Sequence, residues 1–333
     1  MKKELGLLGL LVVLCVVVCG VEIGKQLNSG ATLGTLELPR FLSQTNLTNT
    51  ANLIGLFGIF SIGLGMVIIT GGIDLSVGSM CALVGVLLAM ALGEWGWPWP
   101  VAVLMAVLVP MVLGWGHGWL ITRMRMQPFI VTLCGLLIYR GVARTAAGDA
   151  TKGFTGAGDI DVLRAITSGK FLGVPMPFVA LIVIGIIMWF VLHRSVYGRY
   201  LLAVGRNEEA TRFSGINTRA IIAGSYVLAG LLTGVSAIMF AFYTNSISPS
   251  NHGNFYELYG IAAAVLGGCS LRGGEGSIIG IIIGTTLLLV LQNLVNLLGI
   301  PSSLNFAVMG SVVLVGVLAD QVFQNRARKK SVH

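Results

Sequence analysis

Residues 70–80, Thr-Gly-Gly-Ile-Asp-Leu-Ser-Val-Gly-Ser-Met, place a carboxylate, Asp74, and a hydroxyl, Ser76, between two long apolar runs. An ionisable group in such a setting needs a partner, a wet cavity or a helix end, and in membrane proteins it marks ion or substrate pathways. His117 and Arg140 are the other ionisable residues counted within the runs, so a proton-coupled mechanism would have to use Asp74 or His117. Leu53 to Leu92 comprises 40 residues, two crossings of about 20 residues each. On that count Gly71 and Gly72 form a sharp turn, and Asp74 caps the next helix by accepting from the N–H of Ser76 or Val77. A break deeper in the membrane, with Asp74 lining a path, is the other arrangement.

A second stretch, residues 193–220, reads HRSVYGRYLLAVGRNEEATRFSGINTRA. Gly205 is a break, Glu208 and Glu209 open a short polar helix with Arg212 and Phe213, and Gly215 suits its end. Carboxylates in a first turn meet the positive end of the helix dipole. A short helix held between two spans is suited to press against a partner. A third feature is the spacing of Thr285, Gln292 and Asn296 on one helical face. Without water such groups need partners or a wet cavity. With Asn293 they either line a path for a polar, uncharged solute or make interhelical hydrogen bonds.

Several chemistries are absent from the sequence. There is no GxxxxGK[ST], HExxH or GxSxG, and His117, His193, His252 and His333 lie far apart. Nothing assembles into a catalytic acid–base set, so the sequence predicts neither an enzyme nor a bound cofactor. Cys15, Cys19, Cys81, Cys134 and Cys269 have no metal-type spacing and read mostly as small residues inside apolar runs.

The elements that must hold these groups are membrane spans. Of 333 residues 55% are hydrophobic and 10% charged, against about 25% charged in soluble domains, and the mean hydropathy is +0.89. Ten apolar runs fall at about 5–23, 52–70, 74–93, 100–121, 129–146, 177–193, 220–243, 257–270, 277–298 and 303–322, the eighth too short for a sure crossing. The predicted fold is an all-α, polytopic membrane bundle of about 10 transmembrane segments, a single domain over 1–333, with an inner loop at 194–219. Alternation with Lys2 and Lys3 inside puts 14 Lys and Arg on the inner side and 6 outside, with Arg140 in a helix. This asymmetry predicts both termini in the cytoplasm and accounts for the net charge of +8 without nucleic acid. The N-terminal run has a secretory-type head, but Val18 precedes Cys19 where lipoprotein cleavage needs a small residue, so an uncleaved first helix is expected. The outer segments 24–50 and 147–175 are polar, the second with a short helix expected over Asp159 to Ile166; it is either a solvated connector or a surface for an external partner. Gly276, Gly280 and Gly284, and likewise Gly230 and Gly234, are spaced four apart as in close helix packing.

Four stretches carry a resemblance: GGIDLSVGS (71–79), QPFIVTL (127–133) with RG (140–141), GRYLLAVGRNEEATRFSGIN (198–217) and YELYGIAAAVLGGCSLRGGEGSIIG (256–280). In this order the chain, over about residues 50 to 320, resembles the membrane permease of bacterial ribose-type ATP-binding-cassette importers. The motifs are specific for the family and not for the sugar. The resemblance implies a multi-pass bacterial inner-membrane subunit that passes a neutral monosaccharide inward, and a second permease subunit, identical or not. It also implies an ATPase subunit that carries ATP and Mg, and a periplasmic or extracellular sugar-binding protein. It places the ATPase-coupling loop at Gly205, Asn207, Glu208, Glu209, Ala210 and Gly215, with Thr211 where a second Ala is usual. Other departures are His117 where many relatives have Asn, Met309 where Lys is frequent, and a first fifty residues that do not match closely. Asp74, Ser76, His117, Gln292 and Asn296 are the expected path or gate residues. The competing expectation is an ion-coupled secondary transporter using Asp74 or His117.

Overall fold

In the computed structural model, residues 2–28, 38–299 and isolated positions between 301 and 314 are described. The expected tenth run, 303–322, lies largely outside them, as do Met309 and the basic tail at 326–330.

The long helices start where the sequence supplies caps. α2 (Gln44–Ile69) follows Ser43, whose side chain accepts from Asn46 N–H. α10 (Thr218–Thr244) follows Asn217, which accepts from Ala220, and α12 (Ile278–Leu297) follows Ser277, which accepts from Gly280. Such caps satisfy N–H groups that a helix start leaves open. The remaining long helices are α1 (Lys2–Asn28), α4 (Trp99–Arg123), α5 (Pro128–Ala147) and α7 (Met176–His193), the last three opened by proline in the first turn. Among the described residues these seven are long and apolar enough to cross a membrane.

α2 and α10 form the antiparallel centre. Ser236 Oγ donates to the Leu56 carbonyl at 2.7 Å, and Gly63 meets the backbone of Ala229. α2 is buried along most of its length, whereas α4 keeps Leu104, Leu108, Val112, Trp115 and Trp119 exposed along one side, as a lipid-facing helix does. Pro110 within α4 leaves the Ala106 carbonyl without its helical donor. Gly234 packs there, since a Cβ on it would lie 2.8 Å from that oxygen. The four-residue glycine spacing thus brings α10 onto α4, and Gly280 and Gly284 do the same for α12 against Ala263 and Gly267.

Two of the expected ten segments are shorter than spans. α3 (Val77–Gly93) has 17 residues and α11 (Tyr256–Leu266) has 11, about 25 and 16 Å of helix. The run drawn from residue 74 has no regular structure over 72–76 and turns helical only at Val77, because Asp74 ties up the backbone there. The polar connector at 147–175 contains β1 (Lys152–Gly153), α6 (Asp161–Ser168), β2 (Lys170–Phe171) and β3 (Val174–Pro175), and β1 pairs antiparallel with β4 (Ser246–Ile247). At its start Arg144 bonds the Asp149 carboxylate at 2.6 and 3.2 Å, which holds that exposed carboxyl below its ordinary range. Two short helices complete the described fold, α8 (Val196–Arg206) and α9 (Glu208–Phe213).

Candidate functional site

The two short apolar helices, α3 and α11, begin at one point inside the bundle. After α2 ends, Gly71 reverses the chain at φ +82, and residues 72–76, without regular structure, lead to the start of α3. After α10 ends at Asn245, the segment 248–255 enters from the opposite end and leads into α11. The segments cross at a glycine pair: a Cβ on Gly78 would collide with the Gly253 carbonyl, and a Cβ on Gly253 with that of Gly78. Glu257, in the first turn of α11, is buried with its Oε2 against Gly78 in the first turn of α3. Each half-helix thus turns its N-terminus, the positive end of its dipole, toward a buried carboxylate. Arg140 of α5 donates to the carbonyls of Pro249 at 3.0 Å and His252 at 2.6 Å, and so fixes the second broken segment.

The depth follows from the neighbours. Tyr256 stacks on Phe60 with ring centroids 6.0 Å apart, and Gly260 meets Phe60 and Leu64, near the middle of α2. α11 runs from there toward the end of α2, where Gly274 N–H donates to the Ile69 carbonyl at 2.8 Å. The crossing is therefore mid-bundle, the arrangement in which discontinuous helices build solute sites in other transporters.

Asp74 is 2% exposed. Its Oδ1 accepts from Ser76 N–H at 2.8 Å and Ser76 Oγ at 2.6 Å, an Asx turn just ahead of α3. Ser76 occupies the cap position, so Asp74 shapes the break rather than capping the helix itself. Around it stand His117 of α4, Tyr139 of α5 and Tyr226 of α10: Tyr139 Oη and His117 Nε2 are 2.7 Å apart, and Tyr226 Oη donates to the Ile73 carbonyl at 3.4 Å. His117 Nδ1 is buried without a hydrogen-bond partner among the described residues. Because an amide oxygen can accept both Asx bonds, Asp74→Asn should keep the melting temperature of the solubilised protein within a few degrees and transport within about threefold, whereas Asp74→Ala leaves Ser76 unpaired at a cost of about 1–3 kcal/mol. Loss of transport in a folded Asp74→Asn protein would instead mean that the negative charge is required.

The loop at 194–219 is held by its own hydrogen bonds. Asn207 caps α9 by accepting from Ala210 N–H at 2.9 Å, Glu208 accepts from Thr218 Oγ1 at 3.2 Å, and Gly215 closes the turn at φ +83. Thr211 is buried and donates to the Asn207 carbonyl at 2.8 Å, so its hydroxyl serves the helix internally. Glu209 and Phe213 are exposed. Gly205 is not the break: α8 continues through it to Arg206. Its role is close approach, because a Cβ there would collide with the Ile69 carbonyl and Gly274, and Gly273 packs against both Gly205 and Gly71. The inner module thereby touches the residue from which the Asp74 segment departs.

The structure brings Asp74, Ser76 and His117 together and adds Glu257, His252, Tyr139 and Tyr226. Gln292 and Asn296 lie apart, toward the far end of α12, where Asn293 exchanges amide hydrogen bonds of 2.7 and 3.1 Å with Asn46 at the start of α2. Of that stripe, Thr285 turns inward to bond the Ile281 carbonyl. Counting only Asp74, His117 and Arg140 as charges within the bundle overlooked Glu257. The signal for it was an apolar run too short to cross, headed by a carboxylate.

Residues 46–318 match the family described as branched-chain amino acid transport system / permease component. The chain is similar to the ribose import permease protein RbsC of Bacillus subtilis (strain 168), 37% identical over 283 residues, 85% of this chain and 87% of that one. To RbsC of Escherichia coli (strain K12) it is 39% identical over 292 residues, 87% and 89% of the two chains. To the autoinducer 2 import system permease protein LsrD of Enterobacter sp. (strain 638) it is 31% identical over 290 residues, 86% and 88% of the two chains. No solved structure matches.

Proposed function

The chain belongs to the branched-chain amino acid transport system / permease component family, and from that premise we propose that it is the permease subunit of an ATP-driven importer for a neutral monosaccharide, ribose or a similar pentose or hexose. The observation that carries this reading is the likeness to ribose import permeases across 85–87% of the chain. The chain sits in the bacterial inner membrane with both termini in the cytoplasm, so α9 faces inward and the β1–β4 end outward. A separate ATPase docks on Gly205 to Gly215, with Asn207, Glu208, Glu209 and Ala210 forming the contact surface. A sugar-binding protein delivers solute outside, and a second permease subunit completes the pathway.

In this reading Asp74, Ser76 and His117 border the path at the crossing, and Gln292 and Asn296 line its far wall. Cysteines replacing Gln292 or Asn296 are expected to react with a hydrophilic thiol reagent in a state-dependent way. Inaccessibility in every state would make them packing residues. The function itself is tested by ribose uptake into proteoliposomes holding the permease with its ATPase and binding protein. Uptake should require ATP inside and survive a protonophore. Uptake that persists without ATP and collapses with a protonophore would mean instead an ion-coupled transporter using Asp74 or His117.

A further inference from the structure

We propose that Glu257 and Arg140 form a recognition site for a vicinal diol, exposed when the two broken segments part, and that this exchange selects neutral, hydroxyl-rich solutes. The inference rests on the reading of the chain as a solute permease and goes further by naming the groups that choose the solute's chemistry.

The argument begins with what the closed crossing holds. Glu257 Oε2 lies against Gly78 at the start of α3, and Arg140 donates to the carbonyls of Pro249 and His252. No side chain intervenes between Gly78 and Gly253, so nothing as large as a solute can pass while the pair is in contact. When it separates, the Glu257 carboxylate and the start of α3 are uncovered, and two carbonyls and a guanidinium lose partners, at one place. Buried polar groups left unpaired oppose that separation. A solute lowers the barrier only by replacing those bonds, that is, by binding the open state better than the closed one.

Adjacent hydroxyls do this because each both donates and accepts: one can donate to Glu257 while the next accepts from Arg140 or Gly78. An apolar solute replaces nothing. An anion meets two carboxylates, Asp74 and Glu257, against one guanidinium. A zwitterionic amino acid would have to take Arg140 from both carbonyls while bringing its carboxylate beside Asp74.

His252 gives a second, independent indication. It is 7% exposed, yet its Nε2 has no hydrogen-bond partner among the described residues. Its ring lies 6.2 Å from Tyr256 and 6.3 Å from Phe240. An unpaired polar atom beside aromatic faces offers a hydrogen bond and a C–H-binding surface together, which is what one side of a sugar ring requires.

Cys81 is a native reporter. It lies one turn along α3 from Gly78, is fully buried, and is close enough to Glu257 and Arg140 to feel both charges. In the reconstituted importer, with the other four cysteines replaced by alanine, N-ethylmaleimide should alkylate Cys81 during ATP turnover. Ribose at tens of millimolar should slow that reaction at least fivefold, whereas ribonate and leucine should not. Glu257→Gln should abolish the protection, and so should Arg140→Lys, which keeps the charge but loses the fork, while Asp149→Asn on the outer loop should leave it intact. Either variant suffices if the other fails to assemble. The proposal is overturned if ribose uptake proceeds while Cys81 is never alkylated, is protected equally by ribonate or leucine, or stays protected in the assembled variants. Absent ribose uptake would instead remove the transport reading on which the proposal stands.

Discussion

Gly253→Val is expected to remove the assembled protein from the membrane, the largest effect of any single substitution considered for this chain. Gly253 has φ +74, where a side chain costs about 1–2 kcal/mol, and its Cβ would collide with the Gly78 carbonyl. Overpacking a tight contact adds about 1–3 kcal/mol, and the obstacle is backbone, which cannot rotate away. The combined penalty of about 2–5 kcal/mol falls on a point that also aligns Glu257 and Arg140. Gly116→Ala is the control, since nothing lies within 4 Å of that position. Membrane fractions should hold Gly116→Ala at the normal level and Gly253→Val at a small fraction of it. Equal levels would mean that the two segments do not cross in contact.

Gly205→Ala is expected to act differently, leaving the spans folded but disconnecting them from the inner module. In a helix interior this exchange ordinarily stabilises by about 0.5–1 kcal/mol. Here the new methyl meets the Ile69 carbonyl and Gly274, so α8 must move away from the end of α2. Ribose-stimulated ATPase activity of the reconstituted complex should fall about tenfold, equivalent to ~1.4 kcal/mol of coupling. The melting temperature of the isolated permease should change little. A normal rate would show that the glycine junction transmits nothing.

These effects were only partly legible in the sequence. Apolar run length was enough to locate the helices, and nine of the ten runs are helical among the described residues. Gly215 and the Glu208–Glu209 pair marked α9 because capping is local chemistry. The break at Asp74 was one of two open arrangements: an Asx turn and a helix cap use the same residues, and depth in the bundle depends on neighbours 180 residues away. Gly205 looked like a break because a glycine in a polar loop has no visible partner, whereas its reason is the distant Ile69 carbonyl. Glu257 and His252 escaped notice for a related cause. Their meaning arises only when the second broken segment meets the first, and no periodicity records that contact. Asn293 presents the same ambiguity: spacing alone places an amide on a face, while the reciprocal bonds with Asn46 depend on packing.

In the proposed coupling a partner's ATP-driven motion enters through α9 and travels by the Gly205–Gly273–Gly71 contact to the crossing. Glu209 is the exposed carboxylate at the first turn of that helix, and Glu209→Lys reverses its charge without touching the spans. The most direct measurement is ribose-stimulated ATP hydrolysis by the reconstituted importer containing Glu209→Lys, read beside the amount of permease in the membrane. The account predicts stimulation reduced at least tenfold with the permease present at its normal level. Normal stimulation in that variant would contradict it.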